Sequence, residues 1–70
     1  SAEVRHAVDL LEPHYREVVI LKYYHNKKNT EIAEILGIGQ NVVNGRIFRA
    51  KKMLRKLLSE QRRKREGETD

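Results

Sequence analysis

The sequence predicts an all-α fold, a small domain of four helices, and three observations lead to it. Apolar residues recur every three or four positions and nowhere alternate in the manner of a strand. Pro13, Gly37 and Gly39 stand where such helices should begin or end. Seventy residues without a cysteine make one domain with a shallow core, held by neither disulfides nor a thiolate zinc site.

The first helix is expected around Val4, Ala7, Val8 and Leu11, which repeat at helical spacing. Pro13 then opens a second helix, because its missing N–H would be unpaired in a first turn anyway. That helix runs to about Tyr24, with Val18 and Leu21 facing the core alongside part of Val19, Ile20, Tyr23 and Tyr24. Residues 25–29 are polar and read as a loop. Thr30 is the expected N-cap of a short third helix, and Glu31 suits its positive end. Ile32, Ala33, Ile35 and Leu36 form the apolar side, and Gly37 closes the helix in a left-handed conformation. Ile38 then drops into the core and Gly39 caps the fourth helix, which starts at Gln40 and continues beyond Leu58.

At about 100° per residue from Val43, Ile47, Ala50, Leu54, Leu57 and Leu58 fall within about 60° of one line. The expected core is Val8, Leu11, Val18, Leu21, Ile32, Leu36, Ile38, Val43 and Ile47. Apolar residues stop at Glu60, so the domain is expected to span 1–60 and the charged residues 61–70 to form a flexible tail. A start at Ser1 rather than methionine suggests a processed chain or a domain cut from a larger one.

Charge is distributed unevenly along this chain of net charge +5. Residues 1–39 hold five Lys/Arg and six Asp/Glu, whereas residues 40–65 hold ten Lys/Arg and a single acid, Glu60. Such segregation makes a positive field over one part of the molecule and suits a polyanion. A merely solvated helix face would mix both signs.

A short helix, a glycine turn and a longer helix with a basic outer face make a helix-turn-helix, here with no wing after it. Ala33 lets the two helices approach, Gly37 permits the sharp turn, and Val43 anchors the second helix to the first. An αα-hairpin of a protein-binding bundle shares this outline. Phe48 favours the DNA-binding form, because it lies about 140° from the core line, on the basic face. Asn41, Asn44, Phe48 and Arg49 lie away from Val43 near the start of the helix and are the expected base-reading residues. Phe48 would pack on a thymine methyl or the sugar-phosphate wall while Arg49 reaches a guanine or a phosphate. Thr30, Arg46, Lys51, Lys52, Arg55 and Lys56 are the expected phosphate contacts. Gly45 would let the helix backbone come close to the DNA.

Other functional classes find little support. No Ser/His/Asp or Cys/His grouping and no Gly-rich strand-to-helix loop occurs, so neither an enzyme nor a cofactor site is expected. His6, His14 and His25 lack metal-ligand spacing. No apolar run approaches the roughly twenty residues that cross a bilayer, and no signal-peptide pattern is present. No membrane partner is therefore expected, and the expected compartment is the cytoplasm.

Leu11-Glu12-Pro13, Arg16, Val18 and Leu21, followed by Thr30-Glu31-Ile32-Ala33-Glu34-Ile35-Leu36-Gly37-Ile38, resemble region four of bacterial RNA polymerase sigma factors. Val43, Arg46-Ile47-Phe48-Arg49-Ala50-Lys51 and Leu54-Arg55 extend the resemblance, which is nearest the extracytoplasmic-function type. The run ending in Arg49-Ala50 distinguishes the chain from response-regulator helix-turn-helix domains, which share only the central part. The resemblance implies recognition of the −35 element of double-stranded promoter DNA in the major groove. It also implies contact with the β flap of the RNA polymerase core and, often, sequestration by an anti-sigma factor. Three positions depart from the family: Asn44 replaces a basic residue, and Gly39 and Gly45 replace serines. A glycine inside a helix costs about 1 kcal/mol against alanine, and the change at Asn44 alters which bases are read. Two other roles fit the same residues. One is a sigma-like adaptor docking on polymerase or another protein without reading DNA; the other is a response-regulator-type factor, which would dimerise.

Overall fold

The computed structural model describes residues 1–68 and, among them, contains helices and turns but no strand. Helix α1 spans Ala2–Asp9, and α2 spans Pro13–Val19 and is prolonged by a π-helical turn, Ile20–Tyr24. Helices α3 (Asn29–Leu36) and α4 (Gln40–Glu68) follow. The termini of α1 are satisfied by side chains. The Val4 N–H donates to Ser1 Oγ at 3.3 Å, and an Arg16 guanidinium N–H donates to the Asp9 carbonyl at 3.2 Å. Pro13 occupies the first turn of α2, as its missing donor requires.

Two local expectations need correction. Thr30 is not the N-cap of α3, which opens two residues earlier with Lys28 at the cap position. The reason is Glu31, whose carboxylate accepts from the Lys28 N–H at 2.9 Å. A cap at Thr30 would place Ala33 at the position of that glutamate, with no group to reach back. Only half of a capping box forms, because a lysine ammonium has no acceptor to return the bond. The loop before α3 is correspondingly short. The His25 N–H reaches the Ile20 carbonyl at 3.1 Å, widening the last turn of α2, and Asn26 turns the chain at φ 54°. Asparagine is among the few non-glycine residues that take this conformation readily.

The turn between α3 and α4 forms as expected. Gly37 is left-handed (φ 67°, ψ 36°), which leaves the Ile38 N–H bonded to the Ala33 carbonyl and the Gly37 N–H to that of Glu34. This Schellman pair ends α3 and swings Ile38 back onto the core.

The core has two parts, divided by two adjacent valines of α2. Val18 packs with Ile32, Val43 and Ile47, where α2, α3 and the start of α4 meet. Val19 packs with Val8, Leu11 and Ala50, where α1, α2 and the middle of α4 meet. Leu21, Leu36 and Ile38, expected in the core, line the edge of the first group and are only partly buried. Ala7, Val19 and Ala50 join the fully buried set.

Beyond Glu60 the helix does not break, in contrast to the expected flexible tail from 61; residues 69–70 of that tail lie outside the described residues. Gln61 continues the inward stripe of α4 and is half-buried among Ala2, Glu3 and His6, and Arg65 pairs with Glu3. Helix α1 thus supplies a surface against which α4 extends. At 29 residues, α4 sets the longest dimension of the molecule, 49 Å.

Two isoleucines on one helix test this packing. Ile32 is fully buried, whereas Ile35 is 54% exposed. Ile32→Ala should cost about 2–5 kcal/mol in urea denaturation, and Ile35→Ala under about 1 kcal/mol. Equal losses would mean that α3 does not present Ile32 to α2 and α4.

Candidate nucleic-acid interface

Val43, Ile47 and Ala50 hold one side of α4 against the other helices, so its opposite side faces outward. Asn41, Asn44, Phe48 and Arg49, the four expected readers, are all exposed there. Phe48 is 62% exposed, an unusual placement for a large aromatic in a chain with so few apolar residues to spend. Lys52, Arg55 and Lys56 continue the exposed face along the helix. The Lys52 ammonium sits 5.7 Å from the centre of the Phe48 ring, within cation–π range.

Gly39 and Gly45 each lie beneath an expected reader. A Cβ on Gly45 would stand 3.3 Å from an Arg49 guanidinium nitrogen, so Arg49 lies back over the bare backbone of the preceding turn. A Cβ on Gly39 would stand 2.7 Å from Asn41 Oδ1, which occupies the space a side chain at the cap position would need. The Arg49 side chain therefore covers the Gly45 backbone, the surface that was expected to come close to DNA.

The expected phosphate contacts separate into four places. Lys52, Arg55 and Lys56 are on the open face. Lys51 is exposed on one flank, with its ammonium 5.8 Å from the Tyr23 ring centre at the end of α2. Arg46 is on the other flank, its side chain only 23% exposed and 3.9 Å from the Glu17 carboxylate. That contact ties α4 to α2 and leaves Arg46 the least available of the group. Thr30 is exposed in the first turn of α3, beside Asn29.

Lys22 and Asn29 were not among the expected site residues. The Lys22 ammonium donates to Asn29 Oδ1 at 2.7 Å, and Asn29 Nδ2 donates to Asn44 Oδ1 at 2.7 Å. Lys22 lies on the π-helical turn after α2, Asn29 on α3 and Asn44 on α4, so no spacing within one helix could have linked them. Among the described residues no cluster of His, Asp or Glu could hold a metal ion, and no helix is long and apolar enough to cross a membrane.

Residues 1–54 match the family model for region 4 of sigma-70 factors. The chain is also 36% identical, over 55 residues, to RNA polymerase sigma factor SigV of Bacillus subtilis (strain 168). That alignment covers 79% of this chain and 33% of the relative, so the chain corresponds to about a third of that protein.

The contact of Arg49 with Gly45 can be measured without a ligand. Gly45→Ala should stabilise α4 by about 1 kcal/mol in an Arg49→Ala background, the usual helix-propensity gain. In the presence of Arg49 the gain should be smaller by a few tenths of a kcal/mol, because the new methyl displaces the guanidinium. Thermal denaturation of the four proteins of this cycle provides the comparison, and strict additivity would mean that Arg49 does not rest on Gly45.

Proposed function

The chain belongs to the sigma-70 region 4 family, and from that membership we propose that it reads the −35 element of promoters through the exposed start of α4. The proposed setting is a sigma factor of the extracytoplasmic-function type, which brings RNA polymerase to the promoter to begin transcription. The observation that carries the reading is the outer face of α4. Two asparagines, an exposed phenylalanine and an arginine stand there at the N-terminal end, followed by three exposed cations and no acid before Glu60. A helix of this kind meets the major groove with its first turns at the base edges and its later residues near phosphates.

In this reading Asn41, Asn44, Phe48 and Arg49 address bases. Lys52, Arg55 and Lys56 address phosphates, with Lys51 able to leave Tyr23 and join them, since an exposed cation–π pair is worth only about 0.5–1 kcal/mol. Thr30 meets a phosphate at the N-terminus of α3, where the helix dipole favours an anion. Arg46 contributes less, being engaged with Glu17. The protein partners proposed are the polymerase core, through its β flap, and an anti-sigma factor. Exposed Leu10, Tyr24 and Ile35 provide apolar surface for such partners. The role needs no catalysis and belongs in the cytoplasm, where the proposed partners are.

Selection of bound DNA from a random pool, with and without polymerase core, tests the reading, and an enriched motif is the expected result. Enrichment of no motif in either condition would point instead to an adaptor. Once a site is known, Arg49→Ala should lower affinity by about 1–3 kcal/mol and relax preference at one base pair, if the guanidinium reads guanine. Lys52→Ala should weaken all sequences alike and lower the salt slope by about one. Should Arg49→Ala and Phe48→Ala both keep the original ranking of single-base variants, these two residues position the helix and do not read sequence.

A further inference from the structure

Resting on the DNA-reading role proposed above, we infer that Lys22 and Asn29 set the base preference of Asn44 by fixing which edge of its amide faces outward. An asparagine amide has a donor side and an acceptor side, and turning it over exchanges the two. An isolated surface asparagine would therefore present either. Asn44 is not isolated, and the orientation propagates to it from a lysine that touches no base.

The chain of constraint runs in one direction. A lysine ammonium has three N–H donors and no acceptor, so whatever it touches must accept. Lys22 Nζ lies 2.7 Å from the Asn29 side chain, which obliges Asn29 to turn its Oδ1 toward Lys22. Its Nδ2 then points toward Asn44, and at 2.7 Å only an acceptor can stand opposite, so Asn44 offers Oδ1. The Nδ2 of Asn44, with two N–H groups, is left as the outward edge on an exposed residue of the reading helix. Lys22 and Asn29 are both partly buried, which shields the first link from competing water, whereas the bond from Asn29 to Asn44 is at the exposed surface.

An outward donor selects for acceptors in the major groove. Guanine offers two there, N7 and O6; adenine offers N7 and thymine O4, whereas cytosine presents only its N4 donor. At the base that Asn44 faces, guanine is therefore favoured and cytosine disfavoured. The bidentate contact by which asparagine recognises adenine needs both halves of the amide, and here the acceptor half is held by Asn29. The two outer residues are positioning residues; Asn44 alone touches the base.

The test uses near-isosteric changes that predict opposite preferences. Binding of this chain is measured across all single-base variants of its selected site for wild type, Asn29→Asp, Asn44→Asp, Lys22→Met and Lys22→Arg. Wild type should prefer guanine to cytosine at one position by about fivefold, the size of one hydrogen bond. In Asn29→Asp the carboxylate accepts from Lys22 and also from Asn44, whose amide turns over and exposes Oδ1. The preference at that position should then invert toward cytosine or adenine by a similar factor. Asn44→Asp should produce the same inversion with Lys22 and Asn29 untouched. Both aspartates will lower affinity for every sequence, so the ranking is what is read. Lys22→Met should flatten the preference and Lys22→Arg, which still only donates, should retain it.

Inversion in the aspartate variants establishes the orientation effect. An unchanged ranking in both Asn29→Asp and Asn44→Asp overturns it while leaving sequence-specific binding by the other readers intact. A wild-type protein that ranks no sequences overturns the DNA-reading role and this inference together. Circular dichroism checks folding throughout, and the exposed position of Asn44 keeps Asn44→Asp informative if the partly buried Lys22 or Asn29 variants lose stability.

Discussion

The meeting of Val18, Ile32 and Val43, the largest fully buried side chains, is the contact on which the remaining geometry depends. One residue comes from each of α2, α3 and α4, and each lies on the inward line of its helix. Once they are in contact, the rotation of α4 about its own axis is set, because turning Val43 away would expose it and bury an asparagine or a cation instead. A rotation of even one residue, about 100°, would carry Asn44 or Arg46 into the apolar layer, where an unpaired amide or guanidinium costs several kcal/mol. The outward face of α4 is therefore a consequence of what is excluded from the inside.

The turn between α3 and α4 makes that contact reachable. Gly37 takes its left-handed conformation without the steric penalty of a Cβ, and three residues are enough to reverse direction and return Ile38 to the core. Adjacent valines on α2 then divide the interior, Val18 serving the helix-turn-helix and Val19 serving α1 and the middle of α4. Ala50 sits without exposure in the second group, where a larger side chain would push α1 and α4 apart.

Polar contacts play a different part. The Arg46–Glu17 and Arg65–Glu3 pairs join partly exposed or exposed groups, and pairs of that kind are worth at most about 1 kcal/mol. A single buried isoleucine outweighs them. Their effect is on direction: Arg46 is drawn off the open face, Lys51 rests against Tyr23, and Arg49 lies along the bare backbone at Gly45. Glycine at 45 weakens the helix slightly and, in exchange, leaves room for a cation at its surface. The proposed interface is thus organised by side chains that contribute little to stability.

Periodicity was enough to identify four helices, the inward lines of α2 and α4, and the left-handed turn at Gly37, because each follows from residues within one or two helical turns. Charge segregation was equally legible, being a property of composition. The start of α3 was misjudged at Thr30 because Glu31 serves two plausible caps, and the return bond to Lys28 decides between them. The helical continuation past Glu60 depends on α1 lying alongside, which the polar residues at the end of α4 do not advertise. Contacts across helices were out of reach for the same reason. Lys22, Asn29 and Asn44 meet only after packing sets the angle between three helices, and Arg46 reaches Glu17 only once α2 and α4 cross. The sequence by itself determined which residues turn inward, since apolar burial follows local spacing. Tertiary structure alone decided which way the outward polar groups point, since their partners lie on other helices.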